Sequence, residues 1–218
     1  KGNAILPPMC DRGFLFNLCQ KEERCMNKNY YINILKARLS PERFSHSLLV
    51  VETAMKIGEK LALNKDDLWL ASLLHDYAKD LSCPELLAVA RKNKLITCKV
   101  EELQPGLLHG PVGAFLCQQD LQLREQEVLQ AICYHTTGHG EMSLLDKVVF
   151  LADLLEPSRS YAGVDELRKI CEDDLDKGLL LAFDGTLQYL LREKLLIHPL
   201  TVQARNRLLL VRERPDIE

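Results

Sequence analysis

The chain lacks an excess of positive charge, a long apolar run and a paired-cysteine motif. Its formal net charge is -3 over 218 residues, so no global basic field draws it to nucleic acid or anionic lipid. No apolar run approaches the roughly 18 residues that cross a bilayer, and the first residues lack the basic, apolar and small-residue regions of a signal peptide. We therefore expect a cytoplasmic protein that binds neither nucleic acid nor membrane.

The eight cysteines stand singly, without CxxC spacing. Several fall within apolar helical patterns, where a disulfide framework is not expected. Cys10, Cys19 and Cys25 have no histidine near them, so we interpret them as incidental and not as metal ligands. The sequence predicts reduced thiols.

Two parts of the chain differ in their patterning. Residues 1–26 contain Pro7, Pro8 and Gly13 and show no sustained period, which predicts an N-terminal extension, with Met26 as a candidate native start. From Tyr30 onward the apolar residues recur at helical spacing, without alternating strands or hairpin turns. The sequence predicts an all-α bundle of about ten helices, with one catalytic unit at residues 27–218.

Helix starts are marked by capping residues. Ser40 and Pro41 are typical of an N-cap and a first helical residue, and Asn64 is predicted to cap the next helix. Ser82 and Glu85 form a capping box that opens a helix to about residue 93. We expect an irregular stretch over 94–106, and later helices over about 126–135, 143–155, 165–172, 177–193 and 200–212.

Ionisable residues interrupt three apolar helical segments. His75 and Asp76 do so in SLLHDYAKD, and such a pair alone is more often a helix-end histidine beside a capping or salt-bridged aspartate. His46 and Asp153 intrude on two other helices, however, and buried ionisable groups are unfavourable unless they are paired or bind metal. Imidazole and carboxylate together suit iron, manganese or zinc. The set predicts a divalent metal site with positions open for water and substrate, as hydrolysis requires.

Two further histidines lie beside glycines, which would let a ligand approach the backbone closely. His109 and His135 could each be a hydrogen-bonded helix-end histidine. They could instead contact phosphate oxygens or hold a second metal ion. His139 follows His135 by four residues, but Gly138 is predicted to break the helix between them, which leaves His139 out of the site.

Basic residues recur close to the candidate ligands. Arg43 precedes His46 by three residues, Lys79 follows Asp76 by three, and Arg159 comes shortly after the segment that holds Asp153. Each alone would be an ordinary surface charge. Converging on one pocket, they would neutralise a polyphosphate and its transition-state charge.

Near the C terminus, IHPLTVQARNR is predicted to open the final helix. Backbone N–H groups and the hydroxyl of Thr201 could bind an anion there. His198 fits a structural role and a binding role equally well.

The ordered set His46, His75, Asp76 and Asp153 resembles the metal-binding signature of the HD superfamily of helical phosphohydrolases. Six segments resemble, in order and spacing, the YqeK family of symmetrical diadenosine tetraphosphatases over roughly residues 29–210; they are RFSHSLLV, LLHDYAKD, LLHGPVGA, YHTTG, KVVFLADLLEPSR and HPLTVQARN. The resemblance implies cleavage of diadenosine tetraphosphate to two ADP molecules at an iron-containing site.

The resemblance also implies roles for single residues. The metal ligands would be His46, His75, Asp76 and Asp153, with Asp76 orienting the attacking water. The residues expected around the phosphates are Arg43, His46, Lys79, His109, His135 and Arg159, of which Lys79, His109 and His135 would act with Asp76 in catalysis. The C-terminal nucleotide contacts would be Ile197, His198, Thr201 and Arg207.

Two rival interpretations stay open at this point. A metal core alone does not select the substrate, so another HD phosphohydrolase could act on a nucleoside monophosphate, a cyclic nucleotide or a guanosine alarmone. The pocket could also serve a nucleotide-sensing module with slow turnover. The number of ions is open as well, and a homodimer is a further expectation.

Overall fold

The computed structural model describes residues 27–213, and within that range it contains helices and no strands. The predicted all-α class is confirmed. The α-helices are α1 Lys28–Arg38, α2 Pro41–Ile57, α3 Lys65–Leu74, α4 Cys83–Lys92, α5 Lys99–Leu103, α6 His109–Asp120, α7 Gln126–Tyr134, α8 Leu144–Leu155, α9 Val164–Asp173, α10 Leu175–Arg192 and α11 Pro199–Glu213. Short 3₁₀ turns span Gly58–Lys60 and Pro105–Leu108. None of these helices is long and apolar enough to cross a membrane.

Predictions about the N-terminal extension, the start at Met26 and the first three cysteines lie outside the described residues. The predicted helix starts lie inside them and are confirmed. The Asn64 side chain accepts hydrogen bonds from the N–H groups of Asp66 and Asp67, at 2.9 and 3.3 Å, so it caps α3. Such a cap stabilises a helix by about 1 kcal/mol.

The prediction of an irregular stretch over 94–106 is wrong in part, because this stretch contains α5 and the start of a 3₁₀ turn. Glu101 reaches back to accept hydrogen bonds from the N–H groups of Thr97 and Cys98, at 2.5 and 3.1 Å. A capping box therefore forms on Cys98. Cysteine is not a typical N-cap residue, and a five-residue helix is too short to show a period.

Helices α3 and α8 lie at the centre of the bundle. Every residue from Leu68 to Leu74 is buried, as α3 packs against α2, α7 and α8. Helix α8 joins two apolar clusters, one through Val148 and Val149 and the other through Phe150 and Leu151. A helix that is apolar on all sides needs cover on all sides. The ionisable residues in and after these two helices are consequently held inside the protein, and truncation of a core leucine such as Leu151 to alanine is expected to destabilise the fold by about 2–5 kcal/mol.

Candidate metal centre

Three ligand atoms from three helical segments meet at one point in the bundle. His46 projects from the middle of α2, His75 follows the last residue of α3, and Asp153 lies in the last turn of α8. The Nε2 atom of His46 lies 3.3 Å from Nε2 of His75 and 3.1 Å from Oδ1 of Asp153. All three atoms lie within 4.8 Å of one another, close enough to coordinate one ion.

A second group lies beside the first. His109 is the first residue of α6, and His135 follows the last residue of α7. Their Nε2 atoms are 2.9 Å apart and lie 3.3 and 3.6 Å from Oδ1 of Asp76. These three residues also place their ligand atoms within 4.8 Å of one another.

Asp76 connects the two groups. Its Oδ1 atom faces His109 and His135, while Oδ2 lies 3.6 Å from Nε2 of His75 and 3.9 Å from Nε2 of His46. The residue is only 3% exposed. The structure thus brings together the four ligands predicted from the sequence and adds His109 and His135 on the far side of Asp76.

The ring orientations are fixed by hydrogen bonds from Nδ1. In three of the four histidines, Nδ1 contacts the backbone carbonyl three residues earlier; the pairs are His75 with Ser72 at 2.7 Å, His109 with Gly106 at 2.5 Å and His135 with Ile132 at 2.8 Å. A carbonyl oxygen only accepts, so Nδ1 must carry the hydrogen. The Nε2 lone pair of each neutral ring is then free to bind a metal, as is usual for histidine ligands with such outer contacts.

The facing Nε2 atoms fit a bound cation. Two neutral rings with protonated Nδ1 would oppose their Nε2 lone pairs at 2.9 Å between His109 and His135. That contact is repulsive unless a positive charge lies between or beside the two nitrogens. Imidazole nitrogens and carboxylate oxygens are also the ligands that iron, manganese and zinc take in proteins. The residues present therefore fit a divalent metal.

Burial sets the charge state of the ligands. It lowers the pKa of His75 to about 4, and it also lowers the pKa of His109. Burial alone would raise the pKa of Asp76, but interactions with His75, His109 and His135 hold that pKa well below its usual range. The pKa of Asp153 is likewise held low against burial, first by its contact with Nε2 of His46. Neutral histidines and ionised aspartates are the forms that bind metal.

The three predicted basic residues lie around this centre. The Lys79 ammonium is 3.2 Å from Nε2 of His109, and burial lowers the pKa of Lys79. An Nη1 atom of Arg43 lies 3.6 Å from Oδ2 of Asp76. Arg159 donates from Nη2 to Oδ1 of Asp153 at 2.6 Å. The centre therefore has cationic side chains on several sides.

Sequence reasoning missed Glu156. Its side chain is fully buried, and Oε1 lies 3.2 Å from Nδ1 of His46. Glu156 thus does for His46 what backbone carbonyls do for the other three histidines. It follows Asp153 by three residues, a spacing that places both on one side of a helix end, and this was the available signal.

Thr136 was also missed. Its hydroxyl lies 3.0 Å from Nε2 of His135 and 3.2 Å from Nε2 of His109. The residue therefore borders the second ligand group. A threonine next to a histidine carries no distinguishing pattern in a single sequence.

Two of the C-terminal candidates, Ile197 and His198, lie just before α11, and the other two lie within it. Both ring nitrogens of His198 contact protein atoms: Nδ1 accepts from the N–H of Leu200 at 3.2 Å, and Nε2 lies 3.3 Å from both Oε1 of Glu101 and Sγ of Cys98. Since Nδ1 accepts, Nε2 carries the hydrogen and has no lone pair for a metal. Cys98, Glu101 and His198 thus form a hydrogen-bonded link between α5 and α11, although their atoms lie close enough to hold an ion.

The contacts of Thr201 and Arg207 lie with residues outside the two ligand groups. Thr201 is buried, and its N–H donates to the carbonyl of His198 at 3.1 Å. Arg207 lies 3.6 Å from Glu141, and Ile197 is half-buried.

The glycine beside His109 has a packing role. A Cβ atom on Gly110 would lie 2.4 Å from the carbonyl oxygen of Cys133, so the missing side chain lets α6 approach the backbone of α7. The sequence had suggested that a ligand would use this space. Gly138 behaves as predicted: its φ is +63°, α7 ends before it, and His139 contacts Asp146 at 3.0 Å instead of the ligand groups.

Comparison with known proteins agrees with this architecture. The HD domain family model matches residues 43–158. A Bacillus subtilis protein named bis(5'-nucleosyl)-tetraphosphatase, symmetrical, is 33% identical over 181 residues, covering 83% of this chain and 97% of the relative. A protein of the same name from Halalkalibacterium halodurans is 34% identical over 185 residues, covering 85% of this chain and 98% of the relative.

A solved structure is similar as well. The crystal structure of a predicted HD superfamily hydrolase involved in NAD metabolism, from Clostridium acetobutylicum, superimposes with a TM-score of 0.80 at 34% identity, covering 83% of this chain and 96% of that one. The HD domain implies a divalent metal, in agreement with the His and Asp groups described above. The chain therefore belongs to the HD domain family and is a relative of its symmetrical bis(5'-nucleosyl)-tetraphosphatases.

Proposed function

We propose that this chain hydrolyses diadenosine tetraphosphate symmetrically to two ADP molecules in a metal-dependent reaction. The observation that carries the proposal is the pair of ligand groups sharing Asp76 with Arg43, Lys79 and Arg159 around them. Such a centre matches a polyphosphate in charge. The names of the relatives supply the substrate class.

We propose that the centre would hold two divalent ions. His46, His75 and Asp153 would hold one and His109 with His135 the other, with Asp76 between the two groups. We propose iron as the metal, because the imidazole and carboxylate set suits it, and manganese has similar preferences. Bound ions would lower the pKa of water and polarise a phosphoryl oxygen.

Side chains of the protein would position the reacting groups and stabilise charge during the reaction. Water attacks the phosphorus atom on one side of the central bridging oxygen, and the P–O bond on that side breaks. The second ADP leaves with the bridging oxygen, and the protons of the attacking water pass to solvent as the two ADP products ionise. Asp76, ionised and buried between the two groups, orients that water. Arg43, Lys79 and Arg159 would offset the charge that builds on the phosphate oxygens.

We further propose that the start of α11 contacts a nucleotide half of the substrate. Ile197, Thr201 and Arg207 are the residues that would do so. Both ring nitrogens of His198 are already engaged with Leu200 and with α5, so its proposed contribution is to hold this segment in place. Substrate cut at its centre would then leave an intact ADP unit on each side.

Product analysis tests the proposed function. Purified chain is incubated with diadenosine tetraphosphate and ferrous or manganous ion, beside an Asp76→Ala control, and the products are separated by chromatography. ADP as the sole product, absent in the control, is the expected result. AMP together with ATP would refute symmetrical cleavage. If neither ion supports turnover, the proposed substrate is wrong. A panel of other nucleotides then distinguishes a hydrolase of different specificity from a nucleotide-sensing module.

A homodimer stays a prediction, as does the cytoplasmic location. Large apolar side chains are exposed on α10 and just after it, among them Leu181, Tyr189, Leu191, Leu195 and Leu196. Light scattering coupled to size-exclusion chromatography would give the mass in solution, and a monomer mass at micromolar concentration would contradict the dimer.

A further inference from the structure

Arg168 on α9 binds three backbone carbonyls of the segment that follows α8. Its Nε donates to the carbonyl of Leu155 at 2.9 Å, and its Nη2 donates to the carbonyls of Glu156 and Arg159 at 2.9 and 3.0 Å. The fourth contact is with Asp165, whose side chain is 85% exposed. Thus three of the four hydrogen bonds of this guanidinium go to backbone carbonyl oxygens.

These contacts complete the end of α8. The last carbonyls of a helix have no partner within the helix, and a basic side chain can satisfy them. Leu155 is the last residue of α8 and Glu156 its C-cap. The third carbonyl, that of Arg159, ties the following turn to the same side chain. The planar guanidinium of arginine can donate to all three carbonyls at once, whereas the compact ammonium group of a lysine cannot span them.

The tethered segment carries two side chains of the candidate centre. Glu156 contacts Nδ1 of His46 at 3.2 Å, and Arg159 contacts Oδ1 of Asp153 at 2.6 Å. The Nε of Arg159 also donates to the backbone carbonyl of Asp153 at 2.9 Å. A shift of the turn would therefore move one ligand's hydrogen-bond partner and one proposed phosphate contact together.

We propose that Arg168 is a positioning residue, which sets Glu156 and Arg159 against the metal ligands. Within residues 27–213, its guanidinium bonds to the main chain that bears them and to Asp165, and to none of the six ligand side chains. The proposal rests on the proposed function for its catalytic consequence. Its structural consequence, a fixed turn at residues 156–160, stands independently of any substrate.

The test compares Arg168→Lys with Asp165→Asn. The lysine variant keeps the charge and loses the fork, while the control removes only the exposed partner of Arg168. Arg168→Gln, which keeps one side-chain amide donor, accompanies them in case the lysine variant folds poorly. Circular dichroism and thermal melting establish folding first. The first readout is amide hydrogen exchange at Ser158 and Arg159, whose N–H groups bond to Glu156.

The second readout is a double-mutant cycle with Arg159→Ala on diadenosine tetraphosphate hydrolysis. Misplacement of a catalytic contact by about 1 Å can lower the rate roughly 100-fold, so we expect kcat/KM to fall roughly 10- to 100-fold in Arg168→Lys. In the Arg159→Ala background the same change should have a much smaller effect, because Arg168 acts in part through Arg159. Asp165→Asn should leave both readouts at wild-type values.

Each outcome decides one point. Faster exchange in the lysine and glutamine variants with a non-additive cycle supports the positioning role. Unchanged exchange overturns it, and so does a full, additive loss of kcat/KM in the Arg159→Ala background. If the wild-type chain cleaves no dinucleotide but amide exchange still rises in the variants, the proposed function is wrong. The structural role of Arg168 in fixing the turn is then still supported.

Discussion

Replacing Gly110 with alanine is expected to displace His109 of the second ligand group while leaving the side chains of the first group in place. The new Cβ would lie 2.4 Å from the carbonyl oxygen of Cys133, and ordinary contact begins near 3.4 Å. A backbone oxygen cannot rotate out of the way, so α6 must move from α7 by about 1 Å, the difference between these two distances. His109, the adjacent residue, would move with α6.

This displacement is large compared with what a metal site tolerates. Nε2 of His109 lies 2.9 Å from Nε2 of His135 and 3.3 Å from Oδ1 of Asp76, and ligand distances in metal sites vary by only about 0.2 Å. We expect Gly110→Ala to lose one of two ions per chain and to lower kcat/KM on the order of 100-fold. Overpacking of this kind also destabilises a fold by about 1–3 kcal/mol.

Gly113→Ala is the matched control on the same helix. Its Cβ would meet Ala78 at 3.6 Å, which is ordinary contact, and alanine favours the helix by about 1 kcal/mol over glycine. Metal content by mass spectrometry, urea unfolding and turnover are measured for both variants. A Gly110→Ala protein with two ions and wild-type turnover would refute the link between this close approach and the second group.

Further predictions concern metal affinity, pH and helix capping. Glu156→Gln should weaken metal binding by about tenfold through His46, because outer contacts of this kind contribute 10- to 100-fold; equal affinity in a chelator competition would contradict it. Chelation should lower the melting temperature, and added ferrous or manganous ion should restore it. In the metal-free chain the pKa of His75 falls from 6.5 unfolded to about 4 folded. Folding therefore opposes protonation of His75, so this group should leave stability unchanged above pH 6.5 and lower it by on the order of 3 kcal/mol as pH drops from 6.5 to below 4. Calorimetry against His75→Asn would show no difference in this slope if the reasoning were wrong. Asn64→Ala should lose about 1 kcal/mol of stability with activity unchanged, and a urea midpoint equal to wild type would count against the cap.

Local chemistry made much of the fold predictable. Asn64, Ser82 and Pro41 determine helix starts through contacts with near neighbours, which a single sequence displays. Helix α5 was missed because its start depends on Cys98 and Glu101, a capping pair without a typical first member. The prediction therefore failed at α5 because its N-cap is a cysteine, which is rare at that position.

The candidate site divides in a similar way. His46, His75, Asp76 and Asp153 stand out because each interrupts an apolar segment, and the structure brings them together. The pairing of His109 with His135, by contrast, depends on how closely two helices pack, which their separate sequences do not display. The partners of Arg168 are backbone carbonyls, which every residue has, so no side-chain pattern in the sequence could predict these contacts.

In the proposed two-ion centre, Asp76 lies between the two ligand groups and would couple the affinities of the two ions. Whatever factor the first ion applies to the affinity of the second, the second applies to the first. The steps of a metal titration then belong to the pair, as the pKa values of two interacting acids belong to both. A substitution at His135 should consequently shift the affinity measured for the ion held by His46 and His75, although it contributes no ligand to that ion.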